Sequence, residues 1–367
     1  MTKKIRAVGA IILVVLWATL TVFAWFSPAK DTSLSERRPL AQFPELSADT
    51  LLGGKFMTEF EDYTLDQFPG RDIFRRVKSL VHYNVIGQKD NNDIYIADGY
   101  AAKLDYPVNK DALSHALSRL NYVYEAYLKD SGSKVYSAVI PDKGYYLAEP
   151  NGYPAMDYDL LMETVEKEMP FATHIDITDC LTAEDYYFTD THWRQEKLLP
   201  VAQKLSGAMG LTIPKAEDFT SVKADVPFYG VYYGQAALPM EAEDLYYLES
   251  DLLKACQVYN YETGKYAPVY DTEKLSGNDP YEMFLSGPQT LLRIENPNAF
   301  TDKELIVFRD SFGSSLVPLL VQDYKTVTLV DIRYMDSRML GNFLEFHGQD
   351  VLLLYSTLVL NSGTTLK

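Results

Sequence analysis

The stretch Leu305–Gly313, which reads LIVFRDSFG, decides the class of fold. Its four leading apolar residues form an unbroken run of strand length, and a helix-like segment, 314–322, follows the polar residues. The alternation continues with strands expected at 327–332 and 351–355 and a helix at 335–346. Short apolar strands separated by helices indicate a parallel sheet covered on both faces. We therefore predict an α/β fold with a doubly wound, mostly parallel sheet.

The same alternation extends toward the N-terminus. We expect helices at 56–63, 73–85, 111–129 and 158–168 and strands at 135–140 and 174–178. In open sheets of this kind the functional site lies at the carboxyl ends of the strands. Asp142, Ser311 and Arg333 each fall at such an end, so the sequence predicts a site at this edge.

Segment 216–298 interrupts the alternation, because it is rich in tyrosine and acidic residues. We interpret it as an insertion that flanks the site. The predicted organisation is a cytoplasmic N-terminus and anchor at 1–30, a stem with packing helices at 31–90, and a main domain at 91–367.

The first thirty residues are typical of a membrane anchor. Lys3, Lys4 and Arg6 precede an uncharged apolar run at 7–26, which as a helix would cover ~30 Å, the thickness of a bilayer core. The basic residues predict that the N-terminus lies inside and that the rest lies outside the cytoplasm. A cleaved signal peptide is the alternative.

The net charge of −17 argues against nucleic acid or an anionic lipid surface as a partner.

Asp190, His192 and Ser311 are the residue types of an acyl-transfer triad. An acid and an imidazole two residues apart would point the same way on an extended backbone, and Ser311 follows a strand as a nucleophile does. Each motif alone is common, and Asp310 or Ser311 could simply cap a helix.

A metal held by Asp190, His192 and His174 is a rival interpretation, but no third ligand has a diagnostic spacing, so we predict no metal. Cys180 and Cys256 could pair or remain free thiols.

Several blocks resemble one family. The segments FTDTHW (188–193), DSFG (310–313) and VDIRY (330–334) resemble the DHHW family and its relatives, the SGNH-hydrolase-like alginate O-acetylating enzymes. Other blocks that match are 35–40, 68–72, 140–143 and 228–230. The resemblance implies flavodoxin-like layering and a triad of Asp190, His192 and Ser311, with the acid and histidine before the serine.

Two departures from the family pattern stand out. Thr191 replaces the second histidine, which leaves the proposed acid and base in place, and Arg309 stands where a glycine is usual. The separate glycine and asparagine of the usual SGNH oxyanion hole have no clear counterparts. The Ser311 amide and a neighbouring amide at the helix N-terminus are the natural candidates for that role.

Candidate substrate-binding residues are Arg333, Lys143 and Tyr232. Arg333 could hold a sugar or pair with an acid, Lys143 is similar, and Tyr232 could belong to an aromatic platform with Tyr229 and Tyr233 or to the core.

The anchor and the triad residues, together with what the resemblance implies, predict a membrane-anchored, extracytoplasmic, serine-dependent O-acetyltransferase or acetylesterase that needs no cofactor and acts on a cell-surface or exported polysaccharide. The resemblance implies a membrane-bound O-acyltransferase partner as the acetyl donor. A non-catalytic glycan-binding or assembly factor is the alternative.

Overall fold

The computed structural model describes residues 3–33 and 35–367. Met1, Thr2 and Leu34, which belong to the expected anchor and stem segments, lie outside the described residues, as do the side chains of Lys3 and Lys4. The chain divides into two compact units. The first comprises the residues up to 91 together with 233–239, and the second comprises 92–232 and 240–367.

The first unit is mainly helical. Its elements are α1 (Lys3–Phe26), β1 (Thr32–Ser33), β2 (Arg38–Pro39), α2 (Ala48–Leu52), α3 (Lys55–Asp66), α4 (Arg71–Val81), a π-helical turn (His82–Ile86) and β3 (Asp90–Asn91). Within α1, Ile5–Phe26 is long and apolar enough to be a candidate membrane span or a signal sequence. The helices expected at 56–63 and 73–85 are confirmed as α3 and as α4 with its π-helical turn.

The second unit is a mixed α/β structure. Its strands are β4 (Ile94–Ala97), β5 (Tyr100–Lys103), β6 (Lys134–Ile140), β7 (Thr173–His174), β8 (Thr220–Phe228), β9 (Glu243–Glu249), β10 (Gln257–Asn260), β11 (Lys265–Ala267), β12 (Leu291–Glu295), β13 (Lys303–Arg309), β14 (Tyr324–Val330) and β15 (Asp350–Ser356). Its α-helices are α5 (Lys110–Val123), α6 (Gly144–Leu147), α7 (Tyr158–Glu168), α8 (Leu199–Met209), α9 (Val231–Ala236, whose last residues belong to the first unit), α10 (Asp251–Ala255), α11 (Gly313–Leu316) and α12 (Thr357–Asn361).

A large, mostly parallel sheet forms the core of this unit. Its strand order is β11-β10-β12-β14-β13-β15-β6-β7, and the five strands from β14 to β7 run parallel, whereas β12, β10 and β11 pair antiparallel. Side chains alternate between its faces. Along β6, Ala138 and Ile140 join one buried apolar cluster, and Val135 and Val139 join another. Both faces of the sheet are therefore covered.

The predicted segment 216–298 supplies two kinds of structure. Its first part contains β8 and β9, which pair as an antiparallel ribbon. Its later part supplies β10, β11 and β12, the antiparallel side of the large sheet.

Three local predictions were wrong in extent. The expected helix at 314–322 is only the single turn α11 followed by a 3₁₀ segment, Val317–Asp323, because Pro318 lacks an amide hydrogen. The expected helix at 335–346 is reduced to a 3₁₀ segment, Ser337–Asn342, which contains the weak helix former Gly341. The strand at 174–178 ends at His174, since Asp176 accepts a hydrogen bond from the Thr178 amide and starts a turn.

Candidate active site

Three side chains predicted from distant segments meet in the second unit. Ser311 lies between β13 and α11, at the carboxyl end of a central parallel strand. Its Oγ lies 2.8 Å from His192 Nε2, and His192 Nδ1 lies 2.5 Å from Asp190 Oδ1. The structure thus joins hydroxyl, imidazole and carboxylate in one hydrogen-bonded chain, the arrangement that lets a histidine accept a serine proton.

The proximity of Asp190 and His192 has a different cause from the one expected. The backbone between them is bent rather than extended, within a loop closed by the antiparallel bridge between Tyr186 and Trp193. Asp190 Oδ1 accepts hydrogen bonds from both the amide and Nδ1 of His192. The carboxylate therefore holds the loop and the ring at once.

A second segment braces the acid from the other side. The Val231 amide donates to Asp190 Oδ2 at 2.8 Å, and the Gly230 amide donates to Thr189 Oγ1 at 2.8 Å. A Cβ atom at Gly230 would lie 2.3 Å from backbone atoms of Asp190. Only glycine permits this close approach.

Glu243 clamps the same loop. Its carboxylate is buried and accepts hydrogen bonds from the Phe188 amide, the Thr189 amide and the Thr189 hydroxyl at 2.5 to 2.7 Å. Burial raises the pKa of this carboxyl above its usual value. The three donors stabilise a group that the protein has removed from water.

Aromatic packing sets the plane of the imidazole. The ring of Tyr281 stacks on His192 with centroids 3.9 Å apart and an interplanar angle of 9°. The Tyr281 hydroxyl is hydrogen-bonded to Ser315 Oγ, which also accepts from Trp193 Nε1 at 2.9 Å. Trp193 is therefore part of the wall behind the histidine. Burial raises the pKa of the Tyr281 hydroxyl well above its usual value.

The amides that follow Ser311 are already engaged. The Phe312 amide donates to Asp310 Oδ1, and the Gly313 amide donates to the Asp310 carbonyl. Asp310 Oδ2 accepts from the Ser356 amide at 2.8 Å, which ties the turn to the end of β15. The neighbouring amides proposed from the sequence are thus occupied in this structure.

The three candidate substrate-binding residues differ in exposure. Lys143 is buried and donates to the Tyr187 carbonyl at 2.8 Å, with Nζ 5.1 Å from the Tyr232 ring centroid. Tyr232 is also buried, and its hydroxyl donates to Thr191 Oγ1. Arg333 is partly exposed and forms a bidentate pair with Asp331. Arg333 alone presents part of its side chain to solvent.

The buried lysine has an unusual electrostatic environment. Burial lowers the pKa of Lys143 to about 7, although the charges of Glu243, Asp190 and Asp142 oppose this shift.

Asp142, which was also placed at a strand end, is buried, and its pKa is raised by that burial. Its carboxylate accepts hydrogen bonds from Thr357, Tyr158 and the Gly144 amide, so it anchors the turn that carries Lys143.

No group of three or more metal-ligating side chains is assembled within residues 3–33 and 35–367. His174, the third ligand considered from the sequence, lies beside Ser137 instead, with Nδ1 3.2 Å from its hydroxyl. Cys180 and Cys256 are free thiols.

Residues 177–330 match the family model described as DHHW protein. Over this region the chain is similar to the DHHW family. Asp190, His192 and Ser311 all lie within it, as do Glu243 and Tyr281, whereas Lys143 precedes it. The resemblance noted in the sequence is thereby confirmed.

Solved structures extend the likeness beyond the DHHW region. A DHHW family protein from Eubacterium siraeum DSM 15702 has a TM-score of 0.61 at 20% identity, covering 75% of this chain and 94% of that one. Bacillus cereus PatB1 has a TM-score of 0.58 at 18% identity, covering 73% and 96%. The O-acetyltransferase domain of Pseudomonas putida AlgJ has a TM-score of 0.44 at 13% identity, covering 73% and 92%. No curated protein sequence matches the chain. At these identities the first two likenesses show a shared fold, and chemistry must be argued from the site.

Sequence reasoning missed Glu243 and Tyr281. Glu243 is one of 51 acidic residues, and nothing near it in the sequence marks it as buried. The block at 228–230 was noticed, but the reason for its glycine is visible only in the contact with Asp190.

Proposed function

We propose that this protein is a serine-dependent O-acetyltransferase or acetylesterase that acts on a cell-surface or exported polysaccharide. One observation carries the proposal: the continuous contact from Asp190 through His192 to Ser311. Surface serines and histidines meet by chance, but here the acid is fully buried, and the loop that carries it is braced by the segment 230–231 and by Glu243. Such preorganisation is what a nucleophilic serine requires.

The chemistry follows from this order of atoms. His192 Nε2 takes the Ser311 proton as Oγ attacks the acetyl carbonyl, and Asp190 stabilises the imidazolium that forms. His192 then returns the proton to the leaving oxygen of the donor, which leaves acetyl-Ser311. A sugar hydroxyl or water, deprotonated by His192, attacks the ester and regenerates the serine. Exclusion of water from the site decides between transfer and hydrolysis.

The proposal includes a location and a domain organisation. α1 would anchor the chain in a cell membrane with the N-terminus inside, and the remainder would lie outside the cytoplasm. Residues 31–90 would form the stem with its packing helices, and 91–367 an SGNH-like catalytic domain with an insertion at about 216–298. Buried clusters on both faces of the large sheet support doubly wound, flavodoxin-like layering of that domain.

Substrate and donor belong to the same proposal. Arg333 retains an exposed edge with which to hold a sugar hydroxyl or carboxylate. Lys143 and Tyr232, proposed as further substrate contacts, are enclosed and have partners within the protein, so their environment supports an effect on the triad loop more directly. A membrane-bound O-acyltransferase would supply the acetyl groups, because acetyl thioesters are made in the cytoplasm.

A non-catalytic glycan-binding or assembly factor is the second candidate function. It is favoured by one observation, namely that the Phe312 and Gly313 amides are engaged by Asp310. Of the amides at positions 311 to 313, the Ser311 amide would remain for an oxyanion, since no hydrogen bond from it is seen within residues 3–33 and 35–367.

Acetate release separates the two functions. The full-length protein in detergent micelles would be assayed with a small aryl acetate, alongside Ser311→Ala and, as a matched control, the exposed Ser276→Ala. We expect hydrolysis by the wild type and the control, loss of activity in Ser311→Ala, and labelling of Ser311 by an aryl sulfonyl fluoride. Equal rates in wild type and Ser311→Ala, with no sulfonyl label, would favour the non-catalytic function.

A further inference from the structure

Helix α4 buries its polar side and exposes its apolar side. Its polar side faces the interior of the first unit: Arg71 pairs with Glu36, Arg75 pairs with Glu36 and donates to the Gly234 carbonyl, and Ser79 is fully buried. A helix on the surface of a globular protein ordinarily buries its apolar stripe and exposes its polar one. This helix does the reverse.

The apolar side of α4 faces outward. It is formed by residues at spacing i, i+1, i+4, i+7 and i+8, which lie on one side of a helix. These residues, here called the α4 apolar face, are Ile73, Phe74, Val77, Leu80 and Val81, exposed by 39 to 67%. Val85 and Ile86 in the following π-helical turn extend it, and both are exposed. A contiguous exposed apolar surface of this kind marks an interaction site.

The chain connection places this face close to the candidate membrane span. Lys30, four residues after the end of α1, is bonded through its amide and carbonyl to the Gln67 side chain at 2.9 Å. Gln67 lies four residues before the start of α4. Each of these two four-residue segments reaches at most about 14 Å, so the chain holds the start of α4 within roughly 30 Å of the end of α1.

The edges of the face have the charge that a lipid surface selects. Arg76 and Lys78, both exposed, lie on either side of the apolar stripe. Helices that lie in a bilayer interface carry basic residues whose stems cover apolar surface while the charges reach the headgroups. α4 contains four basic residues and one acidic residue, so the repulsion expected from the net charge of −17 does not apply locally.

We propose that the α4 apolar face lies in the interfacial layer of the phospholipid bilayer that α1 spans. The inverted amphipathicity, the tether at Lys30 and the flanking basic residues all point to lipid. The first unit then rests on the membrane along α4 instead of being held only by a flexible stem. This inference rests on the proposed membrane anchor α1, but it does not depend on the proposed acetyl transfer.

Depth-dependent quenching tests the proposal on the full chain. The half-exposed Cys180 would be changed to serine, and single cysteines labelled with an environment-sensitive fluorophore would be introduced as Val77→Cys and, independently, Ile73→Cys. Glu166→Cys, at an exposed polar position of α7, is the matched control. The proteins would be reconstituted in phosphatidylcholine vesicles, with and without phosphatidylglycerol.

In both vesicles we expect the labels at Val77 and Ile73 to be quenched by a lipid carrying a shallow doxyl group and to be about fivefold less accessible to iodide than the label at Glu166. Iodide access equal to that of the control, without doxyl quenching, would overturn the proposal. Shielding in native membranes but not in pure lipid vesicles would also overturn it, because a protein partner would then cover the face.

Discussion

Glu243 Oε1 accepts two hydrogen bonds from Thr189, one from its amide at 2.7 Å and one from its hydroxyl at 2.5 Å. The two residues are 54 positions apart, and Thr189 immediately precedes the acid of the proposed triad. Through this contact β9 fixes the loop that presents Asp190 and His192. The loop that presents the proposed triad is therefore held by a carboxylate that accepts its hydrogen bonds from Phe188 and Thr189.

Replacing Glu243 by glutamine should impair the loop. The amide nitrogen of glutamine cannot accept the bonds donated by Phe188 and Thr189, which would leave a buried donor unpaired at a cost of about 1–3 kcal/mol. We expect kcat for aryl acetate hydrolysis to fall about tenfold while KM changes little, since Glu243 contacts the loop and Arg333, the exposed proposed sugar contact, pairs with Asp331 instead. Glu241→Gln, two residues away and exposed, is the control. Unchanged kcat and stability in Glu243→Gln would remove its positioning role.

Asp190→Asn tests the orientation of the imidazole. Asparagine can present an NH₂ group to Nδ1 and so favour the wrong tautomer of His192 for accepting the Ser311 proton. In serine hydrolases this change lowers kcat by about 10⁴-fold, and we expect a loss of the same order here. The exposed Asp225→Asn should be neutral. Steady-state kinetics would decide, and full activity in Asp190→Asn would exclude the proposed triad.

Gly230→Ala should separate two segments that now touch. A Cβ atom would meet the Asp190 backbone at 2.3 Å, so the loop must shift, with a cost of about 1–3 kcal/mol and a large fall in kcat. Gly207→Ala in α8 is the matched control, because its Cβ would make only an ordinary contact with Ile213 at 3.6 Å. Alanine there should be neutral or stabilising by about 0.5–1 kcal/mol. Equal thermal stability in the two variants would contradict the predicted clash.

Lys143 should make the free energy of unfolding rise with pH above neutrality. Its pKa falls from 10.5 to about 7 on folding, so between these values the unfolded chain binds a proton that the folded protein lacks. Unfolding therefore becomes less favourable as pH rises through this window. Lys143→Met should remove that part of the slope, and the exposed Lys265→Met should retain it. Chemical denaturation at about pH 7, 8.5 and 10 would measure the free energy of unfolding of all three proteins. If it changed with pH by the same amount in each, the lowered pKa of Lys143 would be contradicted.

Much of this architecture could be read from local pattern. Strands β6, β13 and β15 were predicted within two residues of their ends because each is a short apolar run. The helices were less predictable after β13, where Pro318 and Gly341 weaken segments that are apolar enough to resemble helices. The local sequence does not show whether tertiary packing is strong enough to keep a helix regular through such residues.

The residues of the proposed triad were visible in the chain, since the acid and the histidine stand two residues apart and the serine follows a strand. Their meeting was not, because 119 residues separate His192 from Ser311, and only the register of the parallel sheet and the loop braced by Glu243 and Gly230 bring them together. The amphipathic pattern of α4 was likewise readable, whereas the direction of its apolar side was not. Periodicity depends on neighbours along one helix, but which side faces inward depends on charges such as Glu36 that another part of the chain supplies.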